Sequence, residues 1–454
     1  MKNVFFDKKR IHFIGVGGVS MSGLAEIFLS KGYKVSGSDI NYSPVICHLE
    51  SLGLTFFNGH HAENVRSADA VIFTSAVKAD NPEIVEAGRL GIKTITRAQL
   101  LGYIMNEYKN SIAIAGTHGK TTVTSMVSYI FEKLESDPTI LVGAHLDIID
   151  GNMKLGKSDV FIAEACEYCR SFLSFYPYCA TILNVEPDHL DYFKDADDYH
   201  SAYADFLKNV QSDGFVVACY DDKDLMNLTA NIPQKIVTYG LTGGDFTATD
   251  ITVSDSGTTY VLLYKEEKLC KVRLSLHGSH NISNSLAALA NAYMFGLDMQ
   301  KSADALTQFK GASRRFEYRG KVCGANVYDD YAHHPTEIKA TLNTAKESTS
   351  GRVICVFQPH TYSRTKTFFD DFATAFDKAD ILILADIYAA REKDDGTISS
   401  KMLADKIREN FSECIYIGSF DEISDKIKSV AKENDTVIVM GAGDIIKLTE
   451  ILLQ

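Results

Sequence analysis

The sequence SIAIAGTHGKTTVTSMVSYIFEKL, at residues 111–134, joins a short apolar run to a glycine-containing loop and then to a long helix-favouring segment. The loop ends in Gly119-Lys120-Thr121. In such a GK[ST] signature, backbone N–H groups and a helix N-terminus hold phosphate, while the lysine and the hydroxyl contact phosphate and Mg²⁺. The motif is incomplete, because Ile114 occupies the position of its first glycine. The strand-like run before the loop and the helix after it predict a nucleotide-binding α/β domain.

A second glycine-rich loop lies near the start of the sequence, in RIHFIGVGGVSMSGLAE at residues 10–26. It matches GxGxxG except at its last position, Ser20. Asp39 ends the next strand-like run, where an acid commonly meets a ribose hydroxyl. Taken alone, this loop fits a nicotinamide or flavin cofactor, another nucleotide, or a tight turn that serves packing only. Two nucleotide-type loops in one chain predict two nucleotide sites and exclude a simple dehydrogenase.

Strand-like and helix-like segments alternate in three successive stretches, which predicts an α/β protein of three domains. The first is a Rossmann-like domain. The second is a phosphate-loop ATPase domain with a parallel sheet and a small antiparallel sheet, the latter expected between about residues 214 and 276. The third is another Rossmann-like α/β domain. The predicted boundaries are 1–108, 109–316 and 317–454.

The composition is that of a globular protein, with 45% hydrophobic and 23% charged residues. A net charge of −13 argues against nucleic acid as a partner, because phosphate backbones are bound by clustered Lys and Arg. No stretch fits a signal peptide or a membrane span, so no membrane insertion is expected. Nine scattered cysteines predict a reducing, cytoplasmic setting. The pair Cys166 and Cys169 is interpreted as plain thiols, because no second pair lies at zinc-site spacing.

Acidic and imidazole side chains follow two strand-like runs near the phosphate loop. Glu164 and Glu167 come at the end of DVFIAEACE, and Asp188 and His189 at the end of TILNVEPDH. The carboxyl ends of strands in an open α/β sheet are where metal ligands belong. Together with Thr121, these groups are predicted to form a Mg²⁺ site.

Polar motifs cluster at loop-to-helix junctions in the second half of the sequence, including LHGSHNISN, SRRFE, YDDYAHHPTE and FQPHTYSRT. Such clusters are more typical of recognition than of packing, since Val, Ile, Leu and Phe supply the core positions. Arg364, in the last motif, is a candidate anion clamp, because a guanidinium can grip phosphate or carboxylate in two places.

Ten motifs in order along the chain resemble the Mur ligase family: IHFIGVGGVSMSGLAE, GTHGKTT, EACEY, EPDH, HNISN, SRRFE, DDYAHHPTE, FQPHTYSRT, DIYAARE and GAGDI. The resemblance implies ATP-dependent, Mg²⁺-requiring ligation of L-alanine to the lactyl carboxylate of UDP-N-acetylmuramate through an acyl phosphate, a step of peptidoglycan synthesis. The first domain would bind the UDP moiety, the second ATP, and the third the amino acid. The sequence leaves monomer and dimer open.

The resemblance also implies roles for individual residues. The catalytic set is Lys120, Glu164, His189 and Arg364, and the metal ligands are Thr121, Glu164 and His189. The residues expected to bind ATP are Gly116, Thr117, His118, Gly119, Lys120, Thr121, Thr122, Asn281, Asn284, Arg315, Asp330 and Tyr331. Those expected to bind the UDP-sugar are Gly15, Gly17, Gly18, Asp39, Ser75, His333 and Arg364.

Two positions depart from the family pattern. Thr361 stands where many relatives carry arginine, so one anion contact is missing or supplied differently. Tyr203 stands where sister ligases carry a carbamylated lysine, which leaves the ligation of a second metal open. The base that takes the proton of the amine is also open, between His189 and a nearby carboxylate.

Three other functions compete with this interpretation. The first is a recycling ligase that attaches a whole tripeptide to the same UDP-sugar. The second is an NAD-dependent oxidoreductase that uses the first glycine loop, which would leave GTHGKTT without a purpose. The third is a non-catalytic nucleotide-binding protein, which conflicts with the presence of Lys120, Glu164 and His189 together.

Overall fold

The computed structural model describes residues 9–74, 77–190, 192–254, 257–390 and 392–454, so that Ser75 lies outside the described residues. The chain folds into two compact units. The first comprises Met1–Glu186, His200–Tyr239 and Ala290–Leu297, and the second comprises Pro187–Tyr199, Gly240–Leu289 and Asp298–Gln454. Every helix in the described part of the chain is too short or too polar to cross a membrane.

The first unit begins with a parallel sheet whose strands alternate with helices. The strands are β1 (Arg10–Ile14), β2 (Lys34–Asp39), β3 (Thr55–Asn58), β4 (Ala70–Phe73) and β5 (Lys93–Thr96), and the helices are α1 (Val19–Ser30), α2 (Pro44–Ser51), α3 (Pro82–Arg89) and α4 (Arg97–Met105). The spatial order is β3-β2-β1-β4-β5. The connection after β1 therefore leads toward one edge of the sheet, and the connection after β4 leads toward the other edge. In open α/β sheets the crevice at such a reversal binds ligands, and the first glycine loop follows β1 directly.

The rest of the first unit is built on a second, largely parallel sheet. Its strands are β6 (Asn110–Ala115), β7 (Thr139–Leu146), β8 (Gly151–Lys154), β9 (Val160–Glu164), β10 (Cys179–Ile182), β11 (Phe215–Cys219) and β12 (Lys235–Tyr239), in the order β12-β11-β10-β6-β9-β7-β8. Helices α5 (Lys120–Lys133), α6 (Ala196–Lys208) and α7 (Lys223–Thr229) follow β6, β10 and β11 along the chain. The phosphate-loop segment, with β6 before the loop and α5 after it, folds as its sequence predicts.

The sequence expectation of antiparallel strands from about residue 214 is wrong for β11 and β12. These strands pair in parallel, and β11 also pairs in parallel with β10. All five residues of β11 are buried, as is typical of an inner parallel strand covered on both faces. Helix α7 provides the crossover that a parallel connection needs.

The second unit contains the predicted antiparallel strands. These are β13 (Phe246–Ser254), β14 (Gly257–Tyr264) and β15 (Glu267–Leu274), joined pairwise in antiparallel register. Helices α8 (Ser279–Met294) and α9 (Met299–Thr307) follow them.

The last sheet also belongs to the second unit. Its strands are β16 (Glu317–Val322), β17 (Ala325–Asp330), β18 (Val353–Phe357), β19 (Ile381–Leu384), β20 (Cys414–Tyr416) and β21 (Thr436–Met440), and its helices are α10 (Pro335–Ser348), α11 (Tyr362–Thr367), α12 (Phe369–Phe372), α13 (Ser400–Arg408), α14 (Phe420–Val430) and α15 (Ile446–Leu452). The spatial order is β16-β17-β21-β18-β19-β20. Buried apolar clusters lie on both faces of the sheet. The predicted α/β class, with its parallel sheets and antiparallel strands, is confirmed, whereas the three domain boundaries stay a prediction.

Candidate active site

The first glycine loop is fixed to the end of β2 by its own backbone. Gly15 has a φ of +76°, and its N–H and that of Val16 donate to the carbonyl of Ser38 at 2.8 and 3.1 Å. The N–H of Gly17 donates to Asp39 Oδ2 at 3.0 Å. A Cβ at Gly17 would lie 3.0 Å from that same oxygen, so glycine allows the close approach. Asp39 therefore shapes the loop with one oxygen.

Gly18 is the N-cap of α1 and provides no side-chain cap. The first N–H groups of a helix lack intrahelical partners, so this end of α1 is suited to an anion. The structure thus brings together four of the five residues of the first unit that were predicted to hold the UDP-sugar: Gly15, Gly17, Gly18 and Asp39.

The second glycine loop is anchored on the segment that follows β10. Thr117 Oγ1 donates to the carbonyl of Glu186 at 2.7 Å, and the N–H of His118 donates to Asn184 Oδ1 at 2.8 Å. Gly116 has a φ of +143°, and Gly119, the N-cap of α5, has a φ of +83°. Both values favour glycine. The following N–H groups of α5 lie at a helix start, as the phosphate-loop prediction requires.

Lys120, the first residue of α5, turns back over this loop. Its Nζ donates to the carbonyls of Gly116 and Thr117 and to both oxygens of Glu167, at 3.1 and 3.0 Å. Burial opposes the charged form of Lys120, but Glu167, with smaller contributions from Cys166 and Glu164, outweighs it and raises the pKa. The ammonium group is therefore charged at neutral pH and lies at the loop where phosphate is expected.

Glu167 was grouped with Glu164 in the predicted Mg²⁺ site, but no individual role was predicted for it. Its side chain is 1% exposed and pairs with Lys120. Glu164 instead ends β9, where its Oε1 accepts the N–H of Gly143 at 2.7 Å. Glu167 stands in the turn after β9, directly before a 3₁₀ segment, Tyr168–Ser174, and no sequence signal distinguishes it from Glu164.

The predicted metal ligands are divided between the units. Thr121 lies in the first turn of α5 and is almost fully buried, and Glu164 lies in the same unit. His189 belongs to the second unit. It has a φ of +54°, and its N–H donates to Asp188 Oδ1 at 2.6 Å.

A charged cluster in the second unit surrounds Arg364 of α11. Its Nη2 donates to both oxygens of Asp188 at 3.2 and 3.3 Å, and its Nη1 contacts His360 Nδ1 at 3.2 Å. Burial raises the pKa of Asp188, but Arg364, His189 and His333 together outweigh burial and hold that pKa well below its usual value. The predicted anion clamp is therefore engaged with a protein carboxylate.

Two imidazoles border this cluster. Burial lowers the pKa of His333 to about 3 and that of His360 to about 4. Their rings lie edge to face, with centroids 5.9 Å apart. Both rings are neutral at physiological pH and act there as hydrogen-bonding groups. His333, which was predicted to contact the UDP-sugar, thus lies in the same cluster as Arg364.

The residues predicted to hold ATP in the second unit form two groups. Asn281 and Asn284 lie on consecutive turns of α8, and Asn281 Nδ2 donates to the carbonyl of His277 at 2.8 Å. Arg315 lies over the ring of Tyr331, 5.1 Å from its centroid. Asp330 accepts backbone N–H groups of Phe316 and Ala332 at 2.8 and 2.7 Å, and burial raises its pKa to about 6.

The two departures from the family pattern have clear structural positions. Thr361, with a φ of +67°, is the N-cap of α11, and its Oγ1 accepts the N–H of Arg364 at 3.4 Å. Tyr203 is fully buried and packs edge to face on Phe172. The hydroxyl of Thr361 therefore starts the short helix that carries Arg364, whereas Tyr203 is part of the core.

The cysteines support the interpretation of plain thiols. All nine lie in the described part of the chain, and none of them, Cys166 and Cys169 included, is joined in a disulfide. Burial, with a smaller contribution from Glu167, raises the pKa of Cys166 to about 11. A thiol with so high a pKa is a poor nucleophile and a poor metal ligand at neutral pH.

Three family models match successive parts of the chain. They are the "Mur ligase family, catalytic domain" at residues 10–109, the "Mur ligase middle domain" at 114–292 and the "Mur ligase, glutamate ligase domain" at 314–443. The chain belongs to the Mur ligase family, a class of ATP-dependent ligases, and the resemblance read from its motifs is confirmed.

Relatives that match over their full length show which members of this family the chain resembles. The chain is 48% identical to the UDP-N-acetylmuramate–L-alanine ligase of Clostridium novyi over 99% of its own length and 98% of that protein. It is 47% identical to the enzyme of the same name from Acetivibrio thermocellus, over 98% and 96%. Among solved structures it resembles UDP-N-acetylmuramate-alanine ligase from Thermotoga maritima, with a TM-score of 0.82 and 31% identity over 98% of both chains. A murein peptide ligase from Psychrobacter arcticus matches with a TM-score of 0.72 and 25% identity over 98% of both chains.

Proposed function

We propose that this enzyme joins L-alanine to the lactyl carboxylate of UDP-N-acetylmuramate, with conversion of ATP to ADP and phosphate. The observation that carries the proposal is the charged Lys120 ammonium, held by Glu167 against the carbonyls of the phosphate loop. Full-length identity of 48% to a ligase of this name supports the choice of substrates. We also propose the predicted boundaries 1–108, 109–316 and 317–454, which are supported by family matches that begin at residues 10, 114 and 314.

In the first step, an oxygen of the lactyl carboxylate attacks the γ-phosphorus of ATP and ADP leaves. Negative charge spreads over the transferring group, so preorganised donors at that position lower the barrier. Lys120 and the backbone N–H groups of Gly119 to Thr122 would supply those donors, and Arg364 would orient the acceptor carboxylate. The product of this step is an acyl phosphate.

In the second step, the amine of L-alanine attacks the acyl carbonyl, and the tetrahedral intermediate collapses with release of phosphate. The ammonium form of the amine must first lose a proton. His333 and His360 are weak bases in this structure, because burial lowers their pKa values to about 3 and about 4. The candidates for the base are therefore still His189 and a nearby carboxylate, and the carboxylate takes this role where His189 holds a metal ion.

A Mg²⁺ ion fits the side chains of the proposed site by their chemistry. Thr121, Glu164 and Glu167 offer hydroxyl and carboxylate oxygens, which hard divalent cations prefer. We propose Thr121, Glu164 and His189 as the residues that hold it, although an imidazole suits this ion less well than an oxygen ligand does. The ion would neutralise phosphate charge and align ATP.

The proposal is tested by ADP release in the presence of UDP-N-acetylmuramate. L-alanine, glycine, L-serine and the cell-wall tripeptide would be compared at equal concentrations, and each product identified by mass. L-alanine should give the highest kcat/KM. A preference for the tripeptide would favour the recycling ligase, which the structural likeness to a murein peptide ligase keeps as the second candidate. An oxidoreductase finds no support among these relatives.

A further inference from the structure

A buried carboxylate lies beneath the first glycine loop and has no role in the steps above. Glu83, on α3, is fully buried and accepts hydrogen bonds from four side chains. Its Oε1 accepts from Asn64 Nδ2 at 2.7 Å and contacts His12 Nε2 at 3.2 Å. Its Oε2 accepts from Ser38 Oγ at 2.7 Å and contacts His60 Nδ1 at 2.8 Å. We refer to these five residues as the Glu83 cluster.

Burial alone would favour the protonated form of Glu83. The hydrogen bonds from His12, Asn64 and Ser38 outweigh burial and hold the pKa of Glu83 below its usual value. Glu83 is therefore a carboxylate at neutral pH. Its hydrogen-bond partners therefore offset the desolvation cost of burying an ionised carboxylate.

The Glu83 cluster joins the carboxyl ends of the neighbouring strands β2 and β3. Ser38, whose side chain donates to Glu83, is also the residue whose carbonyl holds the glycine loop at Gly15. The carbonyl of Asp39 accepts the N–H of Gly59, and the carbonyl of Gly59 accepts from Asn64 Nδ2 at 3.2 Å. The cluster therefore lies at the same edge of the sheet as the loop and Asp39.

His60 is the member of the cluster that reaches the surface, with a quarter of its side chain exposed. Its Nδ1 also lies 3.1 Å from Ser38 Oγ, but that hydroxyl donates to Glu83. An ionised carboxylate can only accept, so Nδ1 of His60 must carry a proton toward Glu83. The other ring nitrogen, Nε2, has no hydrogen-bond partner among the described residues, although it lies at the edge where a ligand is expected.

We propose that His60 contacts a phosphate of the nucleoside diphosphate through Nε2, and that Glu83 is the positioning residue that orients the His60 ring. This inference rests on the proposed function, because it takes the UDP-sugar as the ligand of the first glycine loop. A carboxylate on one ring nitrogen stabilises the imidazolium form, and an imidazolium presents an N–H donor to an anion. Because the chain has a net charge of −13, single cations must hold its phosphorylated ligands locally.

Binding to the full-length protein, measured by calorimetry with UDP and with uridine, tests the phosphate contact. His60→Asn should weaken UDP binding about tenfold and leave uridine binding within about twofold, as expected for the loss of one charge-assisted hydrogen bond. UDP binding within twofold of wild type, or equal losses for UDP and uridine, would overturn the contact. Wild-type protein that binds no UDP would instead refute the proposed function, so the two failures are distinct.

The positioning role is tested by combining His60→Asn with Glu83→Gln. Each variant alone should raise the KM for the UDP-sugar and leave the KM for ATP and kcat within about twofold. The double variant should bind UDP no more weakly than His60→Asn, because Glu83 acts through His60. Fully additive losses would contradict this. Glu86→Gln is the matched control, since Glu86 lies on the same helix but pairs with Arg66 and Arg89.

A measurement on the wild-type protein covers the case in which Glu83→Gln does not fold. Nitrogen-15 spectra of labelled histidines, with His60 assigned by its loss in His60→Asn, report which ring nitrogen is protonated. A proton on Nδ1 throughout the titration of the ring supports the pairing with Glu83. A neutral His60 ring that carries its proton on Nε2 would refute it.

Discussion

Lys120 retains its charge in a largely buried position because Glu167 lies 3.0 Å from its Nζ. The lysine could be predicted from Gly119-Lys120-Thr121, since that motif encodes both a loop and a role. Its carboxylate partner could not be chosen from sequence, because Glu164, at the end of β9, and Glu167, in the turn after it, are close together in one motif. In the structure it is Glu167 that pairs with Lys120.

Replacement of Lys120 by alanine should lower kcat by about 100-fold or more, because a donor aimed at developing charge is lost. The variant should remain folded, with a circular dichroism spectrum like that of wild type. Lys133→Ala, at the exposed end of the same helix, is the control and should leave the rate unchanged. A Lys120→Ala variant with more than about a tenth of wild-type turnover would exclude this role.

Glu167→Gln should shift the alkaline limb of kcat/KM for ATP to lower pH. Burial lowers the pKa of Lys120 and Glu167 raises it. Removal of the Glu167 carboxylate should therefore lower the pKa of Lys120. The ammonium then loses its proton at lower pH, and activity declines earlier as pH rises. Rates measured from pH 6 to 10 check this, and an alkaline limb that does not move would show that Glu167 leaves the charge of Lys120 unaffected.

At the scale of helices and strands, glycine loops were the most predictable features. The loop after β1 and the loop after β6 both fold as strand, turn and helix, because their glycines adopt positive φ or allow close contacts. The pairing of β11 and β12 was mispredicted. An apolar run such as FVVAC does not reveal its partner strand, and the decisive element, α7, is only seven residues long.

Asp39→Ala should raise the KM for the UDP-sugar about tenfold and leave the KM for ATP within about twofold. Asp39 accepts the N–H of Gly17, so the substitution frees the first glycine loop without touching the second. Steady-state kinetics with each substrate varied in turn provide the measurement. Asp69→Ala, at the opposite edge of the same sheet beside Arg10, is the control. Equal changes in both KM values would show that the loop is assigned to the wrong nucleotide.

Arg364→Lys should reduce activity at least tenfold, although the charge is conserved. Arg364 contacts Asp188 and His360 at once, and an ammonium cannot reproduce that planar fork. Trapping with hydroxylamine locates the lost step. Little trapped acyl phosphate places Arg364 at the carboxylate, whereas normal trapping with slow peptide formation assigns it to the amino acid. Lys366→Ala, exposed on the same helix, should behave as wild type.

At the scale of the whole molecule, the α/β class and the family follow from motifs distributed over the sequence. The three predicted domain boundaries stay a prediction, and each of the two compact units combines three separate stretches of the chain. Long-range contacts define such units, and local patterns of strand and helix do not encode those contacts. The Glu83 cluster is a further example, because its members come from four separate segments of the chain.

The most direct test follows oxygen from the substrate into phosphate. UDP-N-acetylmuramate labelled with ¹⁸O in both lactyl carboxylate oxygens is incubated with ATP and L-alanine, and the released phosphate is analysed by mass spectrometry. Attack of the carboxylate on the γ-phosphorus, followed by cleavage of the acyl C–O bond, predicts one ¹⁸O in each phosphate and one in the new amide. Unlabelled phosphate together with formation of the amide would contradict activation of the carboxylate by ATP.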